Sequence, residues 1–86
     1  MIYKTTRQFW EHYQKLPREI QNRADKQFER LKQNPDHPSL MLKKTRRGNY
    51  WSARVNDDYR ALAIEHEGVL TWVWIGKHGA YDRRIS

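Results

Sequence analysis

The chain has 86 residues, no cysteine, and 17 Lys plus Arg against 10 Asp plus Glu, for a net charge of +7. The length predicts a single domain, residues 1–86, with one modest core. The lack of Cys excludes disulfide staples, thiolate zinc sites and thiol nucleophiles. The opening MIYKTTRQFW has no apolar run, and no stretch approaches the roughly 20 apolar residues of a membrane span. A cytoplasmic protein with no membrane partner is expected. The positive charge points to a polyanionic partner, with nucleic acid ahead of an acidic protein.

A short strand over Met1 to Lys4 precedes two helices. In Thr6 to Leu16, Phe9, Trp10, Tyr13 and Leu16 form one helical stripe, and Thr5 or Thr6 can cap it. Pro17 ends that helix and suits the first turn of the next. In Pro17 to Gln33 a second stripe holds Ile20, Ala24, Phe28 and Leu31, and Asn34-Pro35 stops it. The two helices are expected to form a hairpin with an apolar seam that includes Trp10 as a core side chain.

The connection from Asp36 to Gly48 is polar, with a short strand expected around Leu40 to Thr45. Three strands follow, Tyr50 to Val55, Tyr59 to Glu65 and Val69 to Ile75, separated by turns at Asn56-Asp57-Asp58 and His66-Glu67-Gly68. The third strand is apolar on both faces and reads as central. Lys77 to Ser86 reads as a short tail. The fold class is α+β, with a helical hairpin packed on one face of a small, mostly antiparallel twisted sheet. The opposite face is left partly open for a ligand.

The charge is densest over residues 40–62, which hold six basic and two acidic side chains. Lys43, Lys44, Arg46, Arg47 and Arg54 there, and Lys77 further on, are candidate phosphate contacts. A hairpin brings the end of its second strand beside the start of its first. Gly76-Lys77-His78 should therefore lie next to Asp58-Tyr59-Arg60, with Tyr81 nearby. Arg60, His78 and Tyr81 are the candidate catalytic set. Arg grips phosphate through two N–H groups, His exchanges protons near neutral pH, and Tyr stacks on a base or donates a proton. These groups suit RNA cleavage by the 2′-hydroxyl, which needs no metal. Tyr81 can equally pack on Trp72 or Trp74 as core. His12, His37 and His66 have no metal-ligand spacing, and neither a metal nor a cofactor is implied.

In this order, YWSARVNDDYRALAI, VLTWVWIG and KHGAYDRRI behind a helical hairpin resemble the RelE/ParE toxin superfamily of bacterial type II toxin–antitoxin systems. The resemblance spans essentially the whole chain. It implies a toxin of the RelE-like branch, a ribosome-dependent mRNA endonuclease that inhibits translation. ParE-like members share the fold and instead poison DNA gyrase, and a non-toxic nucleic-acid-binding module is the further alternative. Either branch implies a cognate antitoxin as partner, with operator DNA reached only through the antitoxin complex. The RelE-like branch implies ribosome and mRNA as further partners.

The resemblance matches Arg60 to the arginine that stabilises the transition-state phosphate. It matches His78 to an acid or phosphate contact, and Tyr81 to a C-terminal aromatic. The lysines of the RelE strand before the turn are absent, where this chain reads Trp51-Ser52-Ala53-Arg54. Arg54, Lys43 or Lys44 are the possible substitutes.

Overall fold

A computed structural model describes residues 2–85 of the chain. Met1 of the expected first strand and Ser86 of the expected tail lie outside the described residues. The elements are β1 (Ile2–Thr5), α1 (Arg7–Gln14), α2 (Arg18–Gln33), a 3-10 turn (Pro38–Leu40), β2 (Lys43–Lys44), β3 (Tyr50–Arg54), β4 (Tyr59–His66), β5 (Val69–Lys77) and α3 (His78–Ile85). One five-stranded sheet runs in the order β1-β5-β4-β3-β2. β1 pairs parallel with β5, and the other pairings are antiparallel. The fold is the expected α+β class with a mixed, open sheet.

Local chemistry explains most of the boundaries. Thr6 caps α1, its hydroxyl oxygen accepting from the Phe9 amide at 3.0 Å and donating to the Trp72 carbonyl at 3.1 Å. β1 stops opposite Trp72, and α1 then packs along β5. Pro17 precedes the first residue of α2, which carries Glu19 in its first turn and Arg30 and Lys32 in its last, as the helix dipole favours. The Asn56 side chain accepts from the amides of Asp58 and Tyr59 and closes the β3–β4 turn. Glu67 (φ 50°) and Gly68 (φ 79°) are both left-handed, as a two-residue hairpin turn between right-twisted strands requires.

The main core joins Leu31 of α2, Leu40, Val55 of the β3–β4 turn, and Ala53, Ala61, Ala63, Leu70, Trp72 and Ile75 of the sheet. Gln27 is a buried polar side chain inside it. Its amide nitrogen donates to the carbonyls of Ser39 and Arg54, which ties α2 to the loop and to β3. A second cluster, Leu62, Trp74 and Tyr81, lies on the other face of the sheet.

Three expected elements change. Residues 78–85 form a helix rather than a loose tail. An eight-residue helix holding Gly79 and few apolar side chains is marginal alone, so its pattern is weak and its stability comes from packing. The strand expected over Leu40 to Thr45 shrinks to Lys43–Lys44, because Pro38–Leu40 turns as a 3-10 helix. The last strand extends through Gly76 to Lys77.

The hairpin seam is not sealed. A cavity of about 200 Å³ runs between Phe9, Trp10 and Tyr13 of α1 and Ala24 and Phe28 of α2, down to the sheet. Trp10 sits on its rim at 43% exposure and is not core. It packs edge-on against Phe9 and Tyr13, and its indole N–H reaches the Thr5 hydroxyl at 3.0 Å. Trp10→Ala should therefore cost about 1 kcal/mol, well under the 3–5 kcal/mol of a buried aromatic. Urea unfolding checks this, and a cost above about 3 kcal/mol would return Trp10 to the core.

Candidate active site

The second face of the sheet carries the candidate site. In antiparallel strands, residues directly opposite one another share a face. Arg54, Arg60 and Gly76 stand in one such row, and Ser52, Leu62 and Trp74 in the next. Lys43 pairs with Ser52 and joins this face, whereas Lys44 pairs with Trp51 on the helix side. Lys77 pairs with Tyr59, also of the helix side.

A bulge sets what this face displays. Leu62 pairs with Trp74 but Ala63 pairs with Trp72, so Val73 is an extra residue in β5. Trp72 and Trp74, two apart, would share a face in a regular strand. Instead Trp72 enters the main core and Trp74 enters the second cluster. The Trp74 ring then lies along its own strand over Gly76. A β-carbon built at Gly76 would sit 2.5 Å from that ring, so only glycine fits there.

The expected meeting of strand ends is present. Tyr59 pairs with Lys77, Arg60 pairs with Gly76, and the His78 amide donates to the Asp58 carbonyl at 2.7 Å. That bond stands at the start of α3, which packs on β4 and β5 and brings Tyr81 into one cluster with Leu62 and Trp74. The Arg60 guanidinium carbon lies 5.5 Å from the centre of the Tyr81 ring, and the His78 ring lies 5.5 Å from it. Tyr81 is only 5% exposed, so its ring offers little surface for stacking on a base. Its place is beneath Arg60.

Arg60 has no carboxylate partner among the described residues. Its Nη1 is buried and has no hydrogen-bond acceptor. Arg54, in the same row, differs. It donates to Asp57 at 2.6 Å and holds that exposed carboxyl below its usual range. His78 meets Asp82 one helical turn on, Nδ1 to Oδ2 at 3.3 Å.

Arg46 is exposed in the β2–β3 loop. Arg47 leaves that loop to stack near Tyr50 and to donate to the Arg84 carbonyl of α3. Asp82 and Arg84 escape the sequence reading, because without a helix nothing places them beside His78 and Trp74. Among the described residues no group of His, Asp and Glu is arranged to hold a metal ion. None of the described helices is long and apolar enough to cross a membrane.

The architecture matches solved toxins. The E. coli DinJ–YafQ toxin–antitoxin complex superposes with a TM-score of 0.72 at 14% identity, covering 91% of this chain and 92% of that one. The RelB–RelE antitoxin–toxin complex of Methanococcus jannaschii gives 0.70 at 17% identity, covering 96% and 99%. The archaeal RelE–RelB complex of Pyrococcus horikoshii OT3 gives 0.65 at 21% identity, covering 91% and 94%. At these identities the likeness is one of fold. No curated protein matches the sequence. The model of the ParE-like toxin domain family matches residues 18–83, and the chain belongs to that family.

Proposed function

We propose that the chain is the toxin of a toxin–antitoxin pair and cleaves translated mRNA by attack of a ribose 2′-hydroxyl. Arg60 carries the reading. A half-buried guanidinium with an unpaired buried nitrogen, held over an aromatic ring on a basic face, suits a phosphate. A buried donor without an acceptor costs about 1–3 kcal/mol, and such a cost is tolerated where a ligand supplies the acceptor.

His78 supplies proton transfer. Nδ1 lies 3.3 Å from the Asp82 carboxylate, and we give the accepting role to the other ring nitrogen, Nε2. Nε2 takes the 2′-hydroxyl proton as the 2′-oxygen bonds to phosphorus. The bond from phosphorus to the 5′-oxygen breaks, and that oxygen takes a proton from water. Arg60 neutralises the charge on the phosphorane. The products are a 2′,3′-cyclic phosphate and a 5′-hydroxyl. With the lysines of the RelE strand absent and Arg54 held by Asp57, we assign the base to His78, which shares the Tyr81 ring with Arg60.

A cognate antitoxin is the second part of the proposal. Relatives of the same fold are solved as complexes with antitoxins. The open apolar cavity between α1 and α2, with Trp10 on its rim, is a surface suited to an apolar antitoxin segment.

Inducible expression with primer extension on a translated reporter tests the reading. Wild type should produce new cuts in translated regions. His78→Ala should reduce them by about 10²–10⁴-fold. Asp82→Asn, which keeps size and removes charge at an exposed pair, should reduce them by less than about tenfold. Growth arrest without cuts, together with inhibited supercoiling by purified gyrase, would replace the nuclease with a gyrase poison.

A further inference from the structure

The loop between β2 and β3 is folded around Arg47. The Arg47 amide donates to the Thr45 hydroxyl at 3.2 Å, its carbonyl accepts from the Tyr50 amide at 3.4 Å, and Gly48 turns the chain with φ 66°. The Arg47 side chain leaves this loop toward α3. Its guanidinium carbon lies 5.9 Å from the centre of the Tyr50 ring, and Nη1 donates to the Arg84 carbonyl. Arg84 in turn lays its guanidinium carbon 4.8 Å from the centre of the Trp74 ring. That ring is buried, lies over Gly76, and has the His12 ring of α1 beside it at 6.2 Å, so it is a fixed platform. No carboxylate among the described residues pairs with Arg47 or Arg84.

We infer that Arg47 and Arg84 are positioning residues, a two-arginine clamp that fastens the C-terminal end of α3 and so fixes how its first turn presents His78 beside Arg60. The inference rests on the ribonuclease reading, and it takes Arg47 from the phosphate contacts expected of it. The chemistry suits the place. The last carbonyls of a helix have no partner within it, and the helix dipole favours a cation there. Arg47 supplies both the donor and the charge. α3 is the element that needs them, since eight residues with Gly79 among them are marginal as a helix alone.

Three points then hold α3. The His78 amide on the Asp58 carbonyl ties its start, Tyr81 packed with Leu62 and Trp74 ties its middle, and the clamp ties its end. His78 and Asp82 are both exposed, so burial fixes neither. The His78 ring is placed by the helix itself, 5.5 Å from the Tyr81 ring and with Nδ1 3.3 Å from the Asp82 carboxylate. A short helix released at its far end frays and tilts about its near end, and both contacts loosen with it. Arg46, the preceding residue, has the same charge and is exposed in the same loop, which makes it the natural comparison.

Amide hydrogen exchange of the purified 86-residue chain, followed by NMR, tests the clamp independently of cleavage. Arg47→Met keeps the stem over Tyr50 and removes the donor. Exchange at Asp82, Arg83 and Arg84 should then speed up by about three- to tenfold, the loss of one exposed hydrogen bond. The His78 ring protons should lose the shift that the Tyr81 ring imposes on them. Arg47→Lys keeps a donor and the charge and should restore most of the protection. Arg46→Met removes the same charge from the same loop and should leave exchange in α3 unchanged. The second readout is single-turnover cleavage of ribosome-bound mRNA. Arg47→Met should lower the maximal rate by about three- to tenfold, with the half-saturating toxin concentration and its salt dependence unchanged. A phosphate contact gives the reverse pattern, with α3 exchange unchanged, a higher half-saturating concentration and a shallower salt slope, and that result overturns the clamp. Equal loosening of α3 by Arg46→Met overturns it too, and a loosened α3 with an unchanged maximal rate removes its positioning role. Loosened exchange in Arg47→Met when wild type makes no cuts would sink the ribonuclease reading alone. Cuts by wild type with α3 exchange unchanged in Arg47→Met would sink the clamp alone.

Discussion

Arg60→Ala is expected to lower RNA cleavage by about 10²–10³-fold, the usual loss when one preorganised charge-stabilising donor is removed from a transition state. It should do so with almost no change in stability. Two terms oppose each other. Loss of the contact with the Tyr81 ring costs about 0.5–2 kcal/mol. Removal of a buried nitrogen that has no acceptor returns about 1–3 kcal/mol. Arg60→Lys keeps the charge but loses the two-pronged grip, so it should restore only part of the rate. Single-turnover cleavage and urea unfolding of the same preparations check this. Unchanged cleavage would remove Arg60 from the chemistry. A stability loss above about 2 kcal/mol would make it a structural residue.

The largest effect on stability should come from Tyr81→Ala. Tyr81 is 5% exposed and packs with Leu62 at 2% and Trp74 at 4%. It anchors a helix too short to persist unaided. Deleting a buried aromatic ring costs about 3–5 kcal/mol, a large share of the stability of a domain this size. Residues 78–85 should lose hydrogen-exchange protection first, which would also unseat His78 and Asp82. Tyr81→Phe keeps the ring and should cost under about 1 kcal/mol with cleavage retained. A cost below about 1 kcal/mol for the alanine variant would mean that α3 is held elsewhere. Lost cleavage in a stable phenylalanine variant would give the hydroxyl a chemical role.

Much of the frame was legible from short-range pattern. Apolar spacing marked α1 and α2, and Pro17 and Asn34-Pro35 marked where they part and end. The turns at Asn56-Asp57-Asp58 and Glu67-Gly68 marked the meander. A hairpin has only one way to bring its ends together, so Arg60 beside Gly76-Lys77-His78 followed from chain order. The family resemblance stood on those same residues.

The rest depended on contacts between residues far apart in the chain. Whether Trp10 was core or rim depended on how far α1 and α2 stand apart. Trp72 and Trp74 separated to opposite faces because one bulged residue resets an alternation that sequence alone treats as regular. Lys43 and Lys44 likewise divided between the faces by their register against β3.

The C-terminal segment depended most on packing. Residues 78–85 have no strong helical stripe, and they become helical where Tyr81 meets Leu62 and Trp74 and the His78 amide meets Asp58. Only then do Asp82 and Arg84 reach His78 and Trp74. Periodicity and turn chemistry act over a few residues, so they can be seen in one sequence, and they determined the elements and the hairpin. Burial, register and the docking of a marginal helix are long-range energies, and only the folded chain decided them.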